Sequence, residues 1–155
     1  MKIQVKERAK LPIIRLYKLS KEAEDGMRLV IDQMVEQGIL RQVVSSPCNS
    51  PVMGIKKPSG KWRIVQDLRW INDIVVPGYP VVPNPAVILF QIPQDAEWFT
   101  VIDLCQAFFS IPLHKDSQYL FGFSFLDKVY VWCRIQQGFL ESPSISTQIL
   151  KKDLE

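Results

Sequence analysis

Apolar and polar residues along this chain follow two different periods, and the changes between them mark out its elements. Residues 1–19 mix cations with Val, Ile and Leu around Pro12, which predicts an extended arm. At Ser20 the pattern becomes helical. Ser20 can cap a helix whose first turn carries Glu22, Glu24 and Asp25, acids that suit the positive end of a helix dipole. Met27, Val30, Ile31, Met34 and Val35 fall on one face, and Gly38 can end the helix. Past the turn residues Pro47, Asn49 and Pro51 the period shortens to two. Residues 52–57 and 61–68 predict a β-hairpin about Pro58-Ser59-Gly60. Asn84-Pro85 predicts a cap and first-turn proline for a short helix through Phe90. Residues 98–102 predict a strand ending at Asp103. Phe121, Phe123 and Phe125 alternate on one arm of a second hairpin and Val129, Val131 and Cys133 on the other, about Asp127-Lys128. Ser142-Pro143 opens a last helix with Ile145, Ile149 and Leu150 on its apolar face. Helices interleaved with antiparallel hairpins predict an α+β class.

The totals narrow the reading. The 155 residues, 47% apolar and 23% charged, suffice for one folded core. No run of 18 apolar residues occurs, so no membrane partner is expected. Residues 1–10 carry four cations but no apolar stretch, unlike a signal peptide. Cys48, Cys105 and Cys133 form no C-x-x-C pair, which argues against a disulfide framework or zinc site and fits a reducing, cytoplasmic setting. A net charge of +3 is too small to declare a nucleic-acid binder. His114 has no Ser or Cys partner at a spacing that suggests a hydrolytic triad, and no P-loop or G-x-G-x-x-G is present.

Three places could carry chemistry. The first hairpin holds Lys56, Lys57, Lys61, Arg63 and Arg69 against the single acid Asp67. Alternation puts Lys61, Arg63, Val65 and Asp67 on one face and Trp62, Ile64, Gln66 and Leu68 on the other. Such a ribbon suits a polyphosphate or nucleic-acid backbone, and Asp67 could pin one of its cations; a solvated charged hairpin is the plainer reading. Asp103 at a strand end could hold a metal, but two-metal phosphoryl transfer needs at least two carboxylates and no second acid closes a strand in the same way. Taken alone, Asp103 reads as the cap of the helical turn D-L-C-Q-A-F-F. Finally, Gln137-Gly138 offers a side-chain amide and a close backbone approach, or simply an ordinary turn.

These three features occur in one order, with long matching strings around them. S-P-C-N-S-P-V (46–52), I-K-K-P-S-G-K-W-R-I-V-Q-D-L-R-W-I-N (55–72), P-V-V-P-N-P (80–85), W-F-T-V-I-D-L-C-Q-A-F-F-S-I-P-L-H (98–114) and Q-G-F-L-E-S-P (137–143) resemble the reverse transcriptase domain of retroviruses and retroviral-type endogenous elements. The nearest likeness is to the gammaretroviral and epsilonretroviral branches, over about residues 10–155. The resemblance implies a right-hand fold, with fingers at about 20–78 and 115–140 and partial palm at about 79–114 and 141–155. It implies that Asp103 is a catalytic aspartate binding Mg2+ or Mn2+, and that Lys57 and Arg63, beside Lys56, hold a dNTP triphosphate. It further implies that Phe108 excludes a ribose 2′-hydroxyl and that Gln137 and Gly138 touch the dNTP sugar and template base. Asp67, Arg69 and Asn72 would meet an RNA or DNA template-primer.

Two positions depart from the family pattern: Gln106 stands where a second acid is usual, and Ser146 where a phenylalanine is usual. The family's Tyr-x-Asp-Asp hairpin does not occur in these 155 residues. The expectation is a polymerase fragment inactive by itself. A non-catalytic RNA- or DNA-binding module and a self-associating interaction remnant are the alternatives.

Overall fold

The computed structural model describes residues 2–78 and 84–154. Helix α1 spans Lys21–Glu36, and the Ser20 side chain accepts from the Ala23 N–H as its cap. Met27, Ile31 and Met34 of the apolar stripe are buried, and Gly38 ends the turn at a φ of 67°. That left-handed conformation is one that glycine adopts at no steric cost.

Two small antiparallel sheets pack near this helix. β2 (Val52–Lys56) pairs with β3 (Trp62–Gln66), with Lys56 opposite Trp62 and Ile55 opposite Arg63. The second sheet has the order β1-β5-β4. β4 (Gly122–Phe125) and β5 (Lys128–Trp132) are the expected second hairpin; β1 (Leu40–Val43), which no local pattern announced, pairs Leu40 with Trp132. β5 is the central strand. Tyr130, Val131 and Trp132 are all buried, because both of its faces are covered. Phe123 stacks on Tyr130 at 5.5 Å between ring centroids, and Phe109 on Trp132 at 5.6 Å. The sheets are joined at Gly122, whose carbonyl accepts from Ser50 N–H at 3.0 Å and Gln66 Nε2 at 3.1 Å.

The shorter helices are α2 (Arg69–Ile74), α3 (Pro85–Phe90), α4 (Lys115–Gln118) and α5 (Ser142–Leu154). Asn84 caps α3 as expected. On α5 the expected apolar face is only partly used: Ile145 is buried, whereas Ile149 and Leu150 are exposed. Ser142 donates its hydroxyl to the Gln136 carbonyl at 2.8 Å instead of capping the helix.

One expected element does not form. Residues 98–104 have no regular structure, and Trp98 and Ile102 are 91% and 79% exposed. A β-rich run becomes a strand only with a neighbouring backbone to satisfy its N–H and C=O groups, and no described residue pairs with it. The helical turn expected to start at Asp103 is also displaced: a 3-10 turn covers Ala107–Ser110, preceded by Gln106 with φ 53°. Asp103 is therefore neither a strand end nor a cap. Of the string 80–85 that carried part of the resemblance, residues 80–83 lie outside the described residues.

Candidate nucleotide and template surface

The β2–β3 ribbon presents two unlike faces. Trp62, Ile64 and Gln66 turn toward the protein, and Lys57, Lys61 and Arg63 are exposed. Trp62 lies so close to Gly26 of α1 that a Cβ there would overlap the indole, so the ribbon seats on the helix at a bare backbone. Lys56, opposite Trp62, belongs to the inner side. Its ammonium bonds to Glu22 of α1 at 2.6 Å and sits 5.9 Å from the Trp62 ring centroid. Lys56 thus braces the hairpin against α1, while Lys57, Lys61 and Arg63 have no ion pair among the described residues.

At the root of the ribbon, Asp67 pins Arg69 rather than Arg63. Arg69 donates Nε to Oδ1 at 3.0 Å and Nη2 to Oδ2 at 2.6 Å, and the Tyr17 hydroxyl adds a bond to Oδ2 at 3.1 Å. These bonds, led by that from the Arg69 guanidinium, hold the Asp67 carboxyl down at about 2. The reciprocal attraction raises the Arg69 pKa. A bidentate pair fixes a plane, so Arg69 is held in one orientation although it is largely exposed.

Two amide clasps tie this region to the loop after β5. Asn72 of α2 donates Nδ2 to the Gly138 carbonyl at 3.0 Å and accepts from the Leu140 N–H at 3.0 Å. Gly138 has φ 88°, which a side chain would strain. Behind it, buried Gln136 donates to Gln66 Oε1 at 2.8 Å. The Gln66–Gln136 pair is separated by 70 residues of sequence, and no local pattern marks it.

Phe108 and Gln137 meet in one open cleft of about 250 Å³, lined also by Leu104, Gln106, Ala107 and Phe109. The family departure Gln106 stands here in left-handed backbone, a conformation costing a non-glycine residue roughly 1–2 kcal/mol. Of the expected site residues, Phe108, Gln137, Gly138 and Asn72 form one group, and Asp67 with Arg69 another at the ribbon root. Asp103 joins neither cleft nor hydrogen-bonded group; it is exposed, and among the described residues no three of His, Cys, Asp and Glu converge to hold a metal. The described residues do not form a divalent-metal centre.

The family model for reverse transcriptase (RNA-dependent DNA polymerase) matches residues 55–155. The chain belongs to the reverse transcriptase family. It is 46% identical over 153 residues to the Gag-Pol polyprotein of walleye dermal sarcoma virus and 40% identical over 159 residues to that of feline leukemia virus. Each alignment covers 98% of this chain and 9% of the polyprotein, so the chain spans about a tenth of the length of these relatives. Among solved structures, prototype foamy virus protease–reverse transcriptase matches 99% of this chain over 20% of its own length, at 31% identity and a TM-score of 0.86. Foamy viral protease–reverse transcriptase in complex with double-stranded DNA matches at 31% identity and a TM-score of 0.79, over 99% of this chain and 26% of its own. The right-hand polymerase fold anticipated from the sequence is thereby borne out for a reverse transcriptase fragment.

Proposed function

We propose that this chain is the nucleotide- and template-holding part of an RNA-directed DNA polymerase of retroviral pol type. The observation that carries the reading is the cleft in which Phe108 and Gln137 meet beside the Asn72–Gly138 clasp. There Phe108 would form the wall that rejects a ribose 2′-hydroxyl, and Gln137 and Gly138 would meet the dNTP sugar and the template base. Lys57 and Arg63, on the exposed face of the ribbon, would neutralise the triphosphate; Lys56 acts from behind, through Glu22. Arg69, oriented by Asp67, and Asn72 would position the template strand of an RNA or DNA template-primer. Residues 20–78 and 115–140 act as fingers in this reading, with palm elements between and after.

Mg2+ or Mn2+ is not accommodated by the described carboxylates, with Asp103 standing apart. In this reading Asp103 would hold the metal only together with further carboxylates, and the 155 residues are inactive by themselves. Primer extension with either metal tests this: no extension above an Asp103→Asn control is expected, and extension that Asp103→Asn abolishes overturns it.

Two features favour further readings. Lys57, Lys61 and Arg63, without an ion pair among the described residues, suit non-catalytic RNA or DNA binding. The exposed Phe90, Trp98, Val101 and Ile102 suit self-association through apolar surface. Sedimentation separates the latter, since a monomer at all concentrations excludes it.

A further inference from the structure

The ribbon is not the main store of positive charge. Residues 2–18 hold six Lys or Arg against one Glu, a net +5, whereas the whole chain carries +3. This arm is anchored near both ends of α2. Near the C-terminal end of α2, Val5 bridges to Val75, and Lys6 donates its backbone N–H to Ile74 O at 2.9 Å and its ammonium to Asp73 O at 2.7 Å. Near the N-terminal end, the Tyr17 hydroxyl reaches Asp67, two residues before Arg69. Between these anchors the chain crosses Asn49, which accepts from the Ile14 N–H at 2.8 Å and donates to Pro12 O at 2.9 Å.

The side chains sort by face. Ile3, Val5 and Leu11 pack against the core, while Arg8, Lys10, Arg15 and Lys18 are exposed and have no ion pair among the described residues. Arg8 stands in left-handed backbone, φ 59°, at a turn where glycine would be free of strain. On α2, the exposed face carries Arg69, Asp73 and Trp70, the last 49% exposed. Trp70 and Asp73, three apart on the helix, are neighbours, and Lys6 docks on the Asp73 carbonyl at the C-terminal end of the same short helix. Glu7 and Asp73 lie on this surface; Asp116 pairs with Lys2, Glu24 shares a cleft with Lys18, Glu141 shares another with Lys2 and Gln4, and the Asp67 charge is taken up by Arg69.

Cations along an extended chain beside an exposed aromatic ring are the chemistry of single-stranded nucleic acid: phosphates meet the cations and bases stack on the ring. We infer that the arm and α2 form a single-strand track in which Arg8, Lys10, Arg15 and Lys18 neutralise phosphates and Trp70 stacks a base. It rests on the reading that Arg69 and Asn72 meet a template strand, and extends that surface away from the Phe108–Gln137 cleft. Stacking and phosphate contacts make the track tolerant of base sequence and of ribose or deoxyribose.

The test is fluorescence anisotropy with a labelled single-stranded RNA of mixed sequence, titrated with the full chain over a range of salt. Three variants are compared: Arg8→Gln/Lys10→Gln/Arg15→Gln/Lys18→Gln, Trp70→Ala, and Lys57→Gln/Arg63→Gln on the ribbon. All the altered side chains are exposed or half-exposed, and circular dichroism checks the fold. The arm variant should reduce the slope of log K against log salt by about 0.7 for each phosphate it no longer neutralises. Trp70→Ala should weaken binding roughly tenfold with the slope unchanged. Wild-type affinity and slope in both arm and Trp70 variants, with the ribbon variant weakened, overturn the track and leave the proposed function standing. Wild-type RNA binding in the ribbon variant counts instead against the reading of Lys57, Lys61 and Arg63 as a non-catalytic RNA- or DNA-binding face, and leaves the track standing. An arm variant that loses only its binding to phosphatidylserine vesicles, with RNA binding intact, also overturns the track.

Discussion

Asn72 and Gly138, 66 residues apart, are locked together: the asparagine amide donates to the Gly138 carbonyl at 3.0 Å while its oxygen accepts from the Leu140 N–H at the same distance. The clasp fixes α2, which carries Arg69, relative to the loop that carries Gln137. The proposed template contact and the proposed nucleotide contact are thereby tied to one another. Asn72→Ala removes two partly exposed hydrogen bonds and should cost about 1–2 kcal/mol in denaturant unfolding. Hydrogen exchange at the Leu140 amide should accelerate, while exchange within β5 should not.

Asp67 gives the ribbon root a pH dependence. Its pKa falls from 3.8 to about 2 on folding, chiefly through the Arg69 hydrogen bond. A depressed folded pKa means that the unfolded chain binds the proton more readily. The contribution is fully present above about pH 4 and is lost as pH falls toward 2. Asp67→Asn should therefore be less stable than wild type near neutral pH, and the two unfolding curves should converge as pH falls through that window.

Gly26 decides whether the ribbon can seat. Alanine there gains helix propensity, but its Cβ meets the Trp62 indole, a rigid group packed between α1 and β2. The overlap should dominate, so Gly26→Ala destabilises by about 1–3 kcal/mol in chemical denaturation. A stabilised Gly26→Ala protein would show that the ribbon sits farther from α1.

The three thiols should react in order of access. Cys48 is fully buried, and burial pushes its pKa up to about 11, whereas Cys105 is exposed and Cys133 intermediate. With iodoacetamide at mildly alkaline pH, mass spectrometry should find Cys105 alkylated first and Cys48 only after unfolding.

Periodicity made the local elements legible. Helix α1, both hairpins and α3 were readable because cap, stripe and turn lie within a few residues of one another. β1 was not, because what makes Leu40–Val43 a strand is Trp132 and its neighbours about 90 residues away. The reverse error occurred at residues 98–102: their apolar, β-branched composition carries strand propensity, but propensity without a partner leaves Ile102 in solvent. The sites divide along the same line. The alternation that separates Arg63 from Trp62 was visible in sequence, and so was the pairing of Asp67 with a cation. The inward engagement of Lys56, the Asn72 clasp and the Gln66–Gln136 bond depend on contacts across 34 to 70 residues, to which no motif points.

The central claim is that the exposed face of the β2–β3 ribbon holds nucleic-acid or triphosphate charge. The most direct measurement is the salt dependence of template-primer binding by wild type and by Lys57→Gln/Arg63→Gln, followed by fluorescence anisotropy. With two phosphates no longer neutralised, binding at low salt should weaken and the slope of log K against log salt should flatten by about 1.5 to 2. Identical affinities and slopes for the two proteins, with a fluorescent dNTP also bound equally by both, would contradict the claim.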